Sequence, residues 1–497
     1  MQKDKSKREK LSRFVLIFVF FAIILFFISL QFLSPTLYEI DGYYHIAVSN
    51  FIKNFGPHYQ FHWAQFSTFK DSFSDKDFLF HLSIIPFLFL INNMIFAAKV
   101  SVIFYNVLFF IIYIYVLKKY LSDLLTAFFL LLPILSSAFV VNFLWLRPAT
   151  LANILTILGI YFLIQKKQVW IFIIAFIYPL SHISFFMFIV FALICEIIRW
   201  VFAKEIFLRN VYIVILGSVL GCWIHPNFPN NLISFHLNAI LVPFYSLMNA
   251  GIILGKELYS SPARFIFINN FTIFFTLNVI LWMVFINRIK IGFSTLVWWA
   301  CTSIYLTLAF ISDKNWYISN VLFCIFFASF LHDWIDEQGR NSMLPKINKL
   351  FIIYVIIILF SAPSNIKVIK NSIARDIQVN THYENVASWM QNHIPKGETI
   401  YHANGSDSAF FLCLNPDNDY LLFLDPIYMF YRYPEVYVVY INLREGKIDK
   451  PYEALKRIFN VRYGYTRKNN LLYNQIKQDA FHFHIILRMS WGLFLKF

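Results

Sequence analysis

The chain has 497 residues, of which 59% are hydrophobic and only 14% charged, and its mean hydropathy is +0.61. The apolar residues come in blocks and not in stripes of helical period, which excludes an ordinary soluble protein of this length. The formal net charge of +15 would suit a polyanionic partner, but its placement argues against nucleic acid. Lys3, Lys5, Lys7, Arg8, Lys10 and Arg13 precede the first apolar block, and other cations sit in short loops between later blocks, as in a protein oriented by cytoplasmic lysines and arginines.

The first block, residues 14–33, is longer than a signal-peptide core and lacks a small-residue cleavage site, so it reads as a retained anchor behind a cytoplasmic basic tail, residues 1–13. Residues 35–77 then form a first outer loop. Spans are expected at 121–142, 148–164, 169–183, 184–203, 210–224, 263–286, 292–311, 316–332 and 350–362. The loops at 118–119, 166–167, 199–209, 287–290 and 333–349 carry the cations of the cytoplasmic side, provided that residues 78–117 cross an odd number of times. The piece 78–91 is short and contains Pro86, which reads as a partial or re-entrant helix. One crossing there gives 11 spans and three give 13; either places the tail outside.

The expected fold is therefore an α-helical polytopic membrane protein with a small C-terminal α/β domain. It sits in the plasma (inner) membrane, with its N-terminus cytoplasmic. Residues 14–362 make the membrane domain and 363–497 the extracytoplasmic domain. A further outer loop, 225–262, holds an apolar stretch, 233–254, whose His236, Asn238, Pro243 and Asn249 suggest a helix at the interface or re-entering. In the tail, turn signals separate helices at 384–393 and 452–459 from strands at 399–401 and 436–441. The five cysteines, Cys195, Cys222, Cys301, Cys324 and Cys413, show no zinc or disulfide spacing.

Chemistry-bearing residues cluster on the outer side. The first loop opens with Glu39, Asp41 and His45 ahead of an amphipathic helix, 46–55. A carboxylate there can serve as a general base toward a hydroxyl or share a divalent cation, and it can equally cap the helix. The loop closes with Asp71, Asp75 and Asp77, and Asp77 and His81, four apart, share one helix face. Acids at a helix start are also favoured by its dipole. Arg147 and Lys314 stand at outer corners where a cation clamps phosphate or snorkels. His182 and His225 lie at similar depth, and Glu257 is the only acid in 225–262.

Together these features resemble the GT-C superfamily of membrane glycosyltransferases, which includes oligosaccharyltransferase catalytic subunits, protein mannosyltransferases and the aminoarabinose transferases of lipid A. The tail segments 384–390, 424–430 and 434–437 resemble the outer domains of uncharacterised bacterial members. The resemblance implies a sugar donor on polyprenyl phosphate, entering from the membrane lipids, and a glycan, lipid or protein acceptor. Asp41 would be the first-loop acid, Asp77 or Asp75 the acid before the second membrane helix, and His45 would join Asp41 and Asp77 as a catalytic residue. Arg147 and Lys314 would hold the phosphate, with His81, His182, His225 and Glu257 as further substrate contacts. A divalent cation, Mg or Mn, shared by Asp41, Asp75 and Asp77 is compatible with that plan, as is inversion at the anomeric carbon. The Trp-Trp-Asp motif of oligosaccharyltransferases is missing, so N-glycosylation of proteins is not expected. Two other readings compete: a flippase of lipid-linked glycans, for which Glu196 is the main intramembrane acid, and a non-catalytic scaffold presenting the tail.

Overall fold

The computed structural model describes residues 2–497 except 206, 249–250, 256–257, 288, 339, 480 and 490, and, within helices, leaves the side chains of 2–5, 268, 272, 282, 285–287, 338 and 340–361 undescribed. Glu257 and Arg288 therefore lie outside the described residues, as do Asn249 and the side chains of Lys3, Lys5 and residues 350–361 of the expected span 350–362. The chain divides into two compact units. One comprises residues 1–35, 99–224 and 257–375, the other residues 36–98, 225–256 and 376–497.

Among the described residues, six helices are long and apolar enough to cross a membrane: Ser6–Gln31, Met94–Leu117, Ile183–Ala203, Asn230–Met248, Phe293–Ile311 and Asp313–Glu337. The chain is a multi-pass membrane protein by this measure. Four further apolar helices, Phe78–Leu90, Ala149–Ile164, Gln168–Ser181 and Arg209–Ile224, have 10–17 residues, less than the ~20 that a straight crossing needs. Two expectations change. The stretch 233–254 falls largely in a helix of crossing length, Asn230–Met248, with a π-helical turn at His236–Leu241. The single span expected at 121–142 is broken, its two halves meeting at 88°. Pro133 opens a short 3-10 turn there, and the Ser136 hydroxyl accepts from the Phe139 amide at 3.4 Å to start the second half. A serine N-cap satisfies a donor that a continuous helix would have bonded four residues back.

Within the first unit the N-terminal helix leaves Phe14, Ile17, Phe18, Phe21 and Leu25 exposed and buries Leu16, Ile23, Ile24 and Phe27 against the protein. An apolar face of that size is costly in water and neutral in lipid. Glu196 is buried and partnered: Arg199 lies 3.5 Å away, and the carboxylate accepts from Asn210 Nδ2 at 3.0 Å and the Phe207 amide at 3.1 Å. Arg199 in turn donates to the Leu163 carbonyl at 3.1 Å. The carboxylate is thus well partnered, while Arg199 Nε and Nη1 make no hydrogen bond among the described residues.

The second unit is built on a five-stranded mixed sheet of order β2-β1-β3-β5-β4, with β1 Thr399–His402, β2 Asp419–Tyr420, β3 Tyr463–Arg467, β4 His484–Arg488 and β5 Gly492–Lys496. β1 runs parallel to β2 and β3, while β5 runs antiparallel to β3 and β4. The first loop extends the sheet beyond β2. The Tyr420 amide donates to Trp63 O at 2.7 Å, and the amides of Gln65 and Phe66 donate to the carbonyls of Tyr420 and Leu421. Backbone pairing of this kind caps an otherwise open edge.

The strand expected at 436–441 is a helix, Pro434–Arg444. Pro434 occupies its first turn, where a missing amide costs nothing, and Tyr437, Tyr440 and Leu443 bury one face at three-residue spacing. The helices expected at 384–393 and 452–459 correspond to the end of the long helix Arg340–His393 and to Pro451–Arg457.

Candidate active site

The acids at the two ends of the first loop come together in the second unit. Asp41 is the first residue of the helix Asp41–Phe55; the capping position belongs to Ile40, with no side-chain cap bond. Glu39 Oε2 accepts from the Asp41 amide at 3.0 Å. The helix is not amphipathic as expected. Residues Gly42 to Ser49, then Phe51 and Ile52, are buried, and only the end of the helix, at Asn54 and Phe55, is exposed.

Asp77 precedes the helix Phe78–Leu90 without capping it, is 1% exposed, and its Oδ1 has no hydrogen-bond partner among the described residues. Burial pushes its carboxyl up to about 6; Lys76 and His81 oppose this, while Asp75 and Asp41 reinforce it. Lys76 shows the converse. Burial works to lower its ammonium, and Tyr428, Asp77, Asp425 and Asp41 together outweigh burial and hold it above the usual lysine value. Asp41, Asp77, Lys76, Asp425 and Tyr428 therefore share one electrostatic neighbourhood, in which a buried carboxyl titrates near neutrality.

Asp75 is engaged differently. Its carboxylate accepts from His81 Nδ1 at 2.7–2.8 Å, and His81 Nε2 lies 2.7 Å from His45 Nδ1. A carboxylate only accepts, so His81 donates through Nδ1 and its Nε2 accepts from His45 Nδ1–H. The resulting chain from His45 through His81 to Asp75 is buried throughout and ties the helix Asp41–Phe55 to Phe78–Leu90. His225 Nε2 donates to the Asp75 carbonyl at 3.0 Å, and Asn227 Oδ1 accepts from the Asp75 amide at 3.0 Å. His225 thus clamps the backbone of the acidic loop.

The remaining candidates belong to the first unit. Arg147 lies over the Trp145 ring, 4.6 Å from its centroid, and Tyr317 is within electrostatic reach of both Arg147 and Tyr178. The Tyr178 hydroxyl is 3.0 Å from Ser184 Oγ, which is 2.7 Å from His182 Nδ1. Arg147 and His182 thus border one tyrosine-lined polar network. Lys314 stands in the short turn Asp313–Asn315. Among the described residues no three His, Cys, Asp or Glu side chains form a group able to hold a metal ion. Asp41, Asp75 and Asp77 as placed do not form such a group.

Sequence reasoning missed Lys76, Asp425 and Tyr428. Asp425 follows Leu424, a bulky residue held at φ +56°, and Asp41 lies two residues after Glu39, held at φ +62°. Left-handed backbone at non-glycine residues is costly and gathers at working sites. No local signal in the sequence reports it, because Leu and Glu carry no preference for that conformation.

No protein-family model matches the chain, and no curated protein matches it by sequence. Solved structures do match by shape. The apo oligosaccharyltransferase of Archaeoglobus fulgidus superposes with a TM-score of 0.63 at 11% identity, covering 91% of this chain and 69% of that one. ArnT from Cupriavidus metallidurans gives 0.57 at 10% identity, covering 96% and 97%, and the same protein bound to undecaprenyl phosphate gives 0.56 at 11%. The chain therefore shares the fold of that oligosaccharyltransferase and of ArnT.

The state of Asp77 leads to a stability prediction. A carboxyl whose value rises from the ordinary 3.8 to about 6 on folding binds more proton folded than unfolded between those values. Its contribution to stability falls as pH rises through pH 4–6, and above pH 6 it costs on the order of 1–3 kcal/mol. Asp77→Asn is expected to melt higher than the wild type at pH 7.5 in detergent, with the difference vanishing near pH 4. Equal melting temperatures at pH 7.5 would show that Asp77 is not held out of water.

Proposed function

We propose that the protein is a glycosyltransferase that moves a sugar from a polyprenyl-phosphate donor to an extracytoplasmic hydroxyl. The observation carrying this reading is the convergence of Asp41 with Asp77 and Lys76 at the start of a rigid helix in a chain of GT-C fold. Binding of undecaprenyl phosphate by one fold neighbour and of dolichol phosphate by another supports the class of donor.

Asp41 takes the proton from the acceptor hydroxyl as its oxygen bonds to the anomeric carbon. The bond from that carbon to the phosphate oxygen breaks, and polyprenyl phosphate leaves with the electron pair. Attack opposite the phosphate inverts the anomeric centre. Asp77, titrating near 6, can hold the transferred proton, and Lys76 balances the acids. The His45–His81–Asp75 chain is a positioning device for both helices, and His225 secures the loop behind it. Within the first unit Arg147 is the residue suited to a lipid phosphate, for which a guanidinium supplies paired donors, with Lys314 and His182 as further candidates. The N-terminus is cytoplasmic and the second unit works on the outer side.

The test is reconstitution of the full chain in liposomes with polyprenyl-phosphate sugars, following release of polyprenyl phosphate. Arg147→Ala is expected to raise the KM for donor about tenfold, the loss of one charge-assisted contact of ~1.4 kcal/mol, with a smaller change in kcat. No release with any hexose, pentose or aminosugar donor overturns the reading. The flippase alternative has less support, since Glu196 is bound within an ion pair.

A further inference from the structure

The second unit has another feature that the acid cluster does not use. An open cleft of about 360 Å³ is lined by Gln378, Thr381, His382 and Asn385 from the long helix and by Leu487, Arg488, Met489 and Trp491 from the β4–β5 hairpin. Its volume lies in the range of small-molecule sites. Gln378, Thr381 and Asn385 recur at i, i+3 and i+7, so one face of the helix presents two amides and a hydroxyl side by side. All three side chains are exposed. They face Trp491, whose ring is 6.1 Å from the His382 imidazole and inclined to it by 28°.

The floor is rigid. His382 is buried, with Nε2 2.8 Å from the Tyr465 hydroxyl on β3. Burial holds its imidazole below the ordinary histidine value against the pull of Asp407, with Arg467 and Lys468 adding to the depression; the floor is therefore uncharged at neutral pH. The Lys468 amide donates to the Trp491 carbonyl at 2.9 Å and fixes the hairpin end. None of the lining residues is acidic, and Arg488 is the one lining cation.

These wall chemistries select a ligand. A pyranose ring has one face of polarised C–H groups, which sits well on the negative π face of an indole. Its edge carries neighbouring hydroxyls that both donate and accept, as Gln, Asn and Thr side chains do. A lipid tail would leave the amides and hydroxyl unpaired, and a bare phosphate would leave the indole unused. We propose that this cleft is a saccharide-binding subsite, separate from the acid cluster, that takes one ring of a glycan chain, with Arg488 favouring a ring that bears a carboxylate. The subsite would hold an extended glycan acceptor, and in that respect alone it rests on the transferase reading; the binding itself does not.

The test uses the full chain in nanodiscs and saturation-transfer NMR or calorimetry with defined tetrasaccharides, neutral and uronic-acid-containing. Binding of a uronic-acid tetrasaccharide is expected, tighter than its neutral counterpart. Trp491→Ala is expected to weaken it at least tenfold, and Asn385→Ala, a change at an exposed position that leaves the hairpin intact, severalfold. Asp41→Asn should bind the tetrasaccharide as the wild type does, which separates this proposal from the catalytic one. Absence of binding by every tetrasaccharide, or binding indifferent to both cleft substitutions, overturns it.

Discussion

Asp41→Asn is expected to reduce transfer from a polyprenyl-phosphate donor by about 10²- to 10⁴-fold, the range for removal of a general base, while melting temperature and abundance in membranes stay unchanged. Asparagine keeps the size of the side chain and loses its basicity. The helix Asp41–Phe55 is held by the buried residues that follow, which the substitution leaves in place. A solvated acid of no catalytic use would show little change in rate, so activity within threefold of wild type removes Asp41 from the mechanism. Single-turnover measurements should place the loss in the chemical step and leave donor affinity intact.

The second large effect is on stability. Arg467→Ala is expected to destabilise the second unit by about 3–5 kcal/mol, the usual consequence of leaving a buried charge unpartnered. Asp407 is completely buried, and its Oδ1 gathers Arg467 Nε at 3.0 Å, Arg467 Nη2 and the Tyr383 hydroxyl at 2.6 Å. Its Oδ2 has no hydrogen-bond partner among the described residues, so the carboxylate depends on one side for its compensation. The Tyr383 ring stacks on Phe410 at 4.3 Å, and Phe410 lies 4.7 Å from Tyr43 of the helix that begins with Asp41. Tyr43 also donates to Glu384 at 2.9 Å. Loss of Arg467 should therefore lower activity as well as the melting temperature, although Arg467 is no part of the acid cluster. The double change Asp407→Asn with Arg467→Met, which removes both charges, should recover most of the stability. Failure to recover would mean that the arginine contributes through its packing and not through its charge.

The fold class was legible because membrane solvation writes itself into composition. Each span must supply its own backbone partners and its own apolar surface, so blocks of phenylalanine, isoleucine and leucine mark helices without reference to any distant residue. The break in 121–142 was harder to read. A proline and a serine in an apolar run bend one helix and are absorbed in another, and the outcome depends on neighbours such as Asn320, whose amide reaches Ser136 Oγ at 3.2 Å. The segment 436–441 misled for a related reason. Its run of Val and Tyr favours strands locally, and only the burial of Tyr437, Tyr440 and Leu443 turns it into a helix.

The candidate site divides in the same way. Asp41, Asp75, Asp77, His45 and His81 were visible as ionisable residues bracketing a polar loop between apolar blocks. Their division of labour was not. Sequence spacing gives Asp75 and Asp77 the same standing, yet one is bound to His81 and the other has an oxygen with no hydrogen-bond partner among the described residues. Asp425 and Tyr428 lie more than 340 positions along the chain from Lys76, and no local pattern could join them to it. The sequence by itself determined a polytopic helical protein with a soluble tail and acids at both ends of its first loop, because hydropathy and charge act residue by residue. The tertiary structure alone decided that the first loop pairs with the tail's sheet through Tyr420 and which of two buried acids is hydrogen-bonded to His81, because burial and pairing are set by what distant segments bring alongside.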